Sequence, residues 1–213
     1  MDVNLLVCSD LHASERALSM FRGLVSSEEY DLAVICGDFT TYGSPEYLKK
    51  VLDLTKKIMI LAVPGNCYPP ETVEALEKAH ACVHNKQVDF GKWHFFGFGG
   101  SIPTSAAMPF EVEEKTIERS LRAIAVRRGV MITHQPPYGI NDCGRSGNHG
   151  GSKSILNIAK EFSPRLVLSG HMHESRGVAN LGETTYVNPG SAKNGHYASI
   201  WLGEEIRTKL HEE

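Results

Sequence analysis

Five short stretches carry side chains that could bind metal and act on an ester: D-L-H at 10–12, G-D at 37–38, G-N-C at 65–67, T-H at 133–134 and G-H-M-H at 170–173. Together they supply Asp10, His12, Asp38, Asn66, His134, His171 and His173. Singly, each has a plain structural explanation: Asp10 can cap a turn, and a lone His134 can be a hydrogen-bonded core residue. Isolated matches of this kind are common and joint ones rare. A single catalytic zinc takes three or four protein ligands, so the larger set suits two divalent cations. Imidazole with carboxylate fits Mn, Fe, Co, Ni or Zn, with manganese placed first, in preference to magnesium or calcium. Asp38 is the candidate bridge, one oxygen to each ion. Two cations outweigh the carboxylates of Asp10 and Asp38, so such a site attracts phosphate and lowers the pKa of a bridging water, the expected nucleophile. Ions roughly 3.5–4 Å apart would hold the attacking and leaving oxygens of an in-line displacement.

Those residues sit where strands end. Apolar, β-rich runs occur at 3–10, 32–38, 58–66, 129–134 and 165–171, and each closes on one of the candidate ligands. Between them, helices are expected over 14–26, 44–57, 70–80, 113–127 and 152–162, the second opened by Ser44 as N-cap and Pro45 in the first turn. Alternating strands and helices imply an α/β sheet with mainly parallel core strands, whose carboxyl ends gather ligands on one edge. The stretches 82–100 and 183–210 read as hairpins, which requires a mixed sheet or a second sheet. No composition break or internal repeat divides the chain, so residues 1–213 are expected to form one domain.

Composition removes several classes. The 213 residues are 41% apolar with a formal charge of -3, and the pI is about 6.4. That balance lacks the basic field of a nucleic-acid binder, so a small phosphate ester is the expected partner. The N-terminal M-D-V-N-L-L-V-C-S-D has no basic n-region, and no apolar run approaches membrane-spanning length, which predicts a cytoplasmic protein without a membrane partner. The five cysteines are scattered with no C-x-x-C pair, so neither a disulfide framework nor a thiolate zinc site is expected, and Cys8 and Cys36 are expected to be buried packing residues. Homo-oligomerisation is left open.

In order and spacing, D-L-H, G-D, G-N-C, T-H and G-H-M-H resemble the five motifs of the calcineurin-like metallophosphoesterases, and N-P-G-S at 188–191 is similar to a common late element. The resemblance implies a four-layer αββα sandwich with two mixed β-sheets. It also implies that Asp10, His12, Asp38 and His173 hold one metal, while Asp38, Asn66, His134 and His171 hold the other. At position 67 most of that family has a histidine that contacts the scissile phosphate and protonates the leaving oxygen. Here the residue is Cys67, as in a bacterial and archaeal phosphodiesterase subgroup that this chain resembles.

Cysteine phosphatases of the C-x-x-x-x-x-R type need an arginine six residues after the nucleophile, and Val73 stands there, so Cys67 is not that nucleophile. Asp38, Asn66 and Cys67 are the expected catalytic residues, and two neighbouring cations are expected to favour the Cys67 thiolate. The glycine-rich loop 135–153 starts at His134, and Asn66, Arg145 and His149 are the expected substrate-binding residues, with Lys153 within possible reach and the helix near Ser152 offering N–H groups to a phosphate. The expected function is a dinuclear-metal phosphoesterase, a phosphodiesterase first. The alternatives are a phosphomonoesterase of the same fold and a non-catalytic scaffold.

Overall fold

The computed structural model describes residues 2–41, 45–67 and 71–213, so the N-cap expected at Ser44 and the start of the helix expected at 70 lie outside the described residues. In chain order the strands are β1 (Val3–Cys8), β2 (Leu32–Ile35), β3 (Met59–Ala62), β4 (Lys86–Phe90), β5 (Trp93–Phe98), β6 (Val130–Thr133), β7 (Leu166–Leu168), β8 (Gly177–Leu181), β9 (Thr184–Asn188), β10 (His196–Leu202) and β11 (Ile206–Glu212). The helices are α1 (Glu15–Val25), α2 (Pro45–Leu52), α3 (Glu71–Lys78), α4 (Glu114–Ile124) and α5 (Lys153–Phe162). After α2 the chain tightens into a 3₁₀ turn, Asp53–Lys56, in place of the longer helix expected to 57.

Two mixed sheets result. One has the order β11-β10-β1-β2-β3, and the other β4-β5-β6-β7-β9-β8. In the first, β1, β2 and β3 run parallel, while β10 pairs antiparallel with both β1 and β11. In the second, β5, β6, β7 and β9 are parallel, with β4 and β8 antiparallel at the edges. The tail differs from the expected 183–210 hairpins: its first hairpin starts at Gly177, and its two hairpins join different sheets. Alternation explains how one strand serves two cores. Leu5 and Val7 of β1 face β6 and β7 between the sheets, whereas Leu6 and Cys8 face α1.

Three apolar layers follow. The inner one packs Val34, Leu61, Phe95, Ile132, Leu168 and Ile200 between the sheets. The second packs α1, α2 and α3 on the outer face of the first sheet through Phe21, Leu48, Val51 and Leu76. The third packs α4 and α5 on the second sheet through Ile117, Leu121, Ile155 and Ile158 against Phe96 and Met131. This is the four-layer αββα arrangement. Each such side chain, fully buried, contributes about 1.5–3 kcal/mol of transfer free energy, which fixes the strand ends from which the polar side chains project. Among the described residues no helix is long and apolar enough to cross a membrane.

Candidate metal centre

The carboxyl ends of β1, β2, β3, β6 and β7 lie along one edge of the sandwich, and the residues just beyond them meet there. Asp38 follows β2, the strand flanked by β1, after which come Asp10 and His12, and by β3, after which comes Asn66. Its Oδ2 lies 3.9 Å from His12 Nε2 and 3.6 Å from His134 Nε2. On one side of Asp38, Asp10 Oδ1 is 3.1 Å from His173 Nε2 and 3.7 Å from His12 Nε2, and the His12 and His173 Nε2 atoms are 3.3 Å apart. On the other, His134 Nε2 is 3.1 Å from Asn66 Oδ1, and the His134 and His171 rings lie 5.0 Å apart. Asp38 thus stands between two groups of ligand atoms.

The backbone around these side chains is held in uncommon conformations. Asp10, His12, Asp38 and His171 all have positive φ, at 55°, 48°, 49° and 65°. For non-glycine residues this costs on the order of 1–3 kcal/mol each, and such residues concentrate at functional sites. Paired backbone groups hold the turns: the Asp10 N–H donates to Gly37 O at 3.0 Å, the His12 N–H to Asp38 O at 3.0 Å and the His171 N–H to Asp10 Oδ2 at 3.0 Å. Gly37 allows the close approach of His134, since a Cβ there would lie 2.5 Å from His134 Nδ1.

Second contacts orient the rings. His134 Nδ1 donates to the Cys36 carbonyl at 2.7 Å, which leaves Nε2 free as a ligand atom, and His12 Nδ1 sits 2.8 Å from Thr41 Oγ1. Ser191 Oγ donates to Asp10 O at 2.8 Å, Asn188 Nδ2 to Met172 O at 2.9 Å. The N-P-G-S stretch therefore buttresses both the Asp10 and the His171–His173 turns. Thr41, Asn188 and Ser191 acquire these roles only through contacts distant in the chain, and only the late motif hinted at two of them.

Electrostatics match a site built for cations. Burial, reinforced by the charge of His134, holds His171 down to about 4, and burial also lowers His12 against the pull of Asp38 and Asp10. His173 is raised by its hydrogen bond to Asp10. Burial works to raise Asp10, but the His173 hydrogen bond and the charges of His134 and His173 leave it below the usual carboxylate range. Asp10 Oδ1 is buried with no well-aligned hydrogen-bond partner beyond its 3.1 Å contact with His173 Nε2, a costly state for a carboxylate oxygen unless a cation satisfies it. An under-satisfied carboxylate oxygen, the His12 and His171 imidazoles held toward the neutral form, and mixed N/O donors all fit divalent transition metals.

Cys67 is buried at the edge of this centre, and its sulfur can reach a common point with His12 and Asp38. Its backbone N–H donates to Asp38 Oδ1 at 3.0 Å, so Cys67 fixes the orientation of the bridging candidate through its main chain. Burial first, and then the Asp38 carboxylate, push its thiol well above the ordinary value. Burial and Asp38 thus act against the two cations from which the thiolate is expected.

The loop residues are placed differently. Arg145 Nε pairs with Glu174 Oε1 at 2.6 Å, beside His173, and its side chain is otherwise exposed. His149 Nδ1 bonds Asp142 Oδ1 at 2.7 Å, and Lys153 Nζ lies over the Tyr138 ring. The N-terminus of α5 is not open to a phosphate as expected: Glu114 of α4 accepts the Lys153 and Ser154 N–H groups at 2.9 and 3.0 Å, and Ser152 Oγ caps Ile155 N. A carboxylate from another helix already occupies the anion position. Cys8 and Cys36 are fully buried, as expected.

The profile of the calcineurin-like phosphoesterases matches residues 3–175. An uncharacterized protein of Methanocaldococcus jannaschii is 33% identical over 168 residues, 75% of this chain and 77% of that one. A dimetal phosphatase from Danio rerio superposes with a TM-score of 0.69 at 10% identity, covering 99% of this chain and 96% of the other. An archaeal phosphodiesterase superposes with a TM-score of 0.57 at 18% identity, covering 98% and 99%.

Proposed function

The chain belongs to the calcineurin-like phosphoesterase family, and from that premise we propose that it is a dinuclear-metal phosphoesterase acting on phosphodiesters. The observation that carries this is the Asp38 carboxylate, whose Oδ2 lies within 3.9 Å of His12 Nε2 and 3.6 Å of His134 Nε2. Asp10, His12, Asp38 and His173 would hold one cation, and Asp38, Asn66, His134 and His171 the other, with manganese the first choice. When bound, the pair supplies Lewis-acid stabilisation of phosphate charge and an activated water.

The chain's own residues do the rest. The Cys67 main chain keeps the Asp38 carboxylate in place, and Asn66 Oδ1 lies 3.1 Å from His134 Nε2. The Cys36 carbonyl holds the proton of His134 on Nδ1, away from the centre. The arrangement favours a monoanionic diester over a dianionic monoester, because among the described residues no lysine or arginine side chain is paired with the side chain of any candidate ligand. A dianion gains most from such added positive charge. The presence of Cys67 where a histidine would protonate a leaving oxygen adds that good leaving groups are expelled best. The likeness to an archaeal phosphodiesterase is in keeping with this reading.

The protein reconstituted with Mn2+ should hydrolyse bis-p-nitrophenyl phosphate with kcat/KM at least about tenfold above that for p-nitrophenyl phosphate, a difference of about 1.4 kcal/mol in transition-state binding. A monoester preference would remove the diester assignment. Inactivity on both, with the centre loaded, would favour the scaffold.

A further inference from the structure

A second group of ligand atoms lies in the hairpin that follows His134. Asp142, Cys143 and His149 each place one ligand atom within 4.8 Å of the other two, and among the described residues this is the only such group sharing no member with the central site. Asp142 is 1% exposed, although it lies in a loop. Its Oδ2 accepts the Gly139 and Gly151 N–H groups at 2.8 and 3.0 Å, and these bonds turn Oδ1 toward His149 Nδ1 at 2.7 Å. The sulfur of Cys143 stands 3.6 Å from the same nitrogen.

The backbone holds the three together. Cys143 and His149 form an antiparallel bridge, closed by the Gly144 N–H to Asn148 O at 3.0 Å and the Gly147 N–H to Gly144 O at 2.9 Å. Ser175 Oγ donates to Cys143 O at 2.8 Å and ties the hairpin to the turn after His173. A cysteine–histidine–aspartate relay would need sulfur and carboxylate at opposite ring nitrogens. Here both approach Nδ1, so proton relay fails, whereas convergence on one point suits a metal.

We propose that Asp142 Oδ1, Cys143 Sγ and His149 Nδ1 form a separate zinc site, with water in the fourth position. Thiolate, imidazole and carboxylate are all zinc ligands, and three of them with one open position is a common zinc stoichiometry. Binding moves the imidazole proton to Nε2 and releases the thiol proton. The ion fixes the 142–149 hairpin and with it Arg145, which pairs with Glu174 beside the central site. The site shares no ligand with the dinuclear centre, so it stands whether or not the diester assignment holds.

The test uses Cys67→Ser protein as the reference, which removes the thiol adjacent to the central site. Titration with Co2+ should give a thiolate-to-cobalt charge-transfer band, and saturation with Zn2+ should give one equivalent more than in the same protein carrying Cys143→Ser or His149→Ala. Zinc should also slow alkylation of the exposed Cys143 by iodoacetamide at least about tenfold, as coordination removes the free thiolate. Equal zinc loading in the reference and both variants, or an alkylation rate indifferent to zinc, would overturn the proposal.

Discussion

Gly65 offers the sharpest geometric test of the centre. A Cβ on this residue would lie 1.9 Å from Asp38 Oδ1, 2.5 Å from Asp38 Cγ and 2.3 Å from the Asp38 backbone nitrogen, where ordinary contact begins at 3.4 Å. Rotating the Asp38 side chain relieves only part of this. The nitrogen must also move, by about 1 Å, and a misplacement of that size at a reacting centre can cost about 10²-fold in rate. The Asp38 main chain cannot follow freely, because its carbonyl accepts the His12 N–H at 3.0 Å and its φ is already 49°. Overpacking of this kind costs about 1–3 kcal/mol, and a domain of this size loses about 2–4 °C of Tm per kcal/mol. Gly65→Ala should therefore fold with a lowered Tm, lose about 10²-fold or more in kcat/KM on the diester, and bind Mn2+ more weakly. The control is Gly23→Ala in α1, where nothing lies within 4 Å of the added carbon. It should gain about 0.4–1 kcal/mol of stability and keep full activity. Parent-like kcat/KM and Mn2+ affinity in Gly65→Ala would refute the claim that Asp38 is held by this close approach.

Three further outcomes follow from particular contacts. His84 accepts the Gly99 N–H on Nδ1 at 2.9 Å, and burial holds its pKa down to about 4; because the unfolded chain takes up this proton near the ordinary 6.5, stability should fall as pH drops from about 6.5 to 4, and His84→Gln should flatten that slope in urea titrations of chelated protein. Glu114→Ala removes the acceptor for Ser152 Oγ and two α5 N–H groups, and should cost about 1–3 kcal/mol, read as a shift of the urea midpoint; an unchanged midpoint would mean that water replaces the carboxylate. Cys67→Ser keeps the N–H to Asp38 Oδ1, so hydrolysis of p-nitrophenyl diesters should stay within about threefold of the parent, while complete loss with metals bound would show the thiol acting in the chemistry.

All five core strands carrying ligands could be read from apolar runs that stop at aspartate, asparagine or histidine, because strand ends and metal ligands leave the same local mark. The αββα layering came from the family resemblance. Periodicity alone could not tell which sheet each tail hairpin would join, and β9 pairs with β7 while β10 pairs with β1. Long-range partners were equally hidden. Nothing near Glu114 in the chain signals that it caps α5, and that contact overturned the phosphate site expected at Ser152. Cys67 was visible as an exception, but its contribution through the main chain was not, since an N–H is common to almost every residue. The Asp142–Cys143–His149 group has ligands adjacent in sequence, yet its spacing matches no zinc motif and depends on a hairpin.

The central claim is that Asp38 links two cations, and electron paramagnetic resonance of the Mn2+ protein tests it most directly. At two equivalents of Mn2+ the account predicts an exchange-coupled spectrum from paired ions, which Asp38→Ala converts to the sextet of isolated Mn2+ or abolishes with loss of binding. A sextet from isolated ions in the parent at two equivalents, or a coupled spectrum that survives Asp38→Ala, would contradict it.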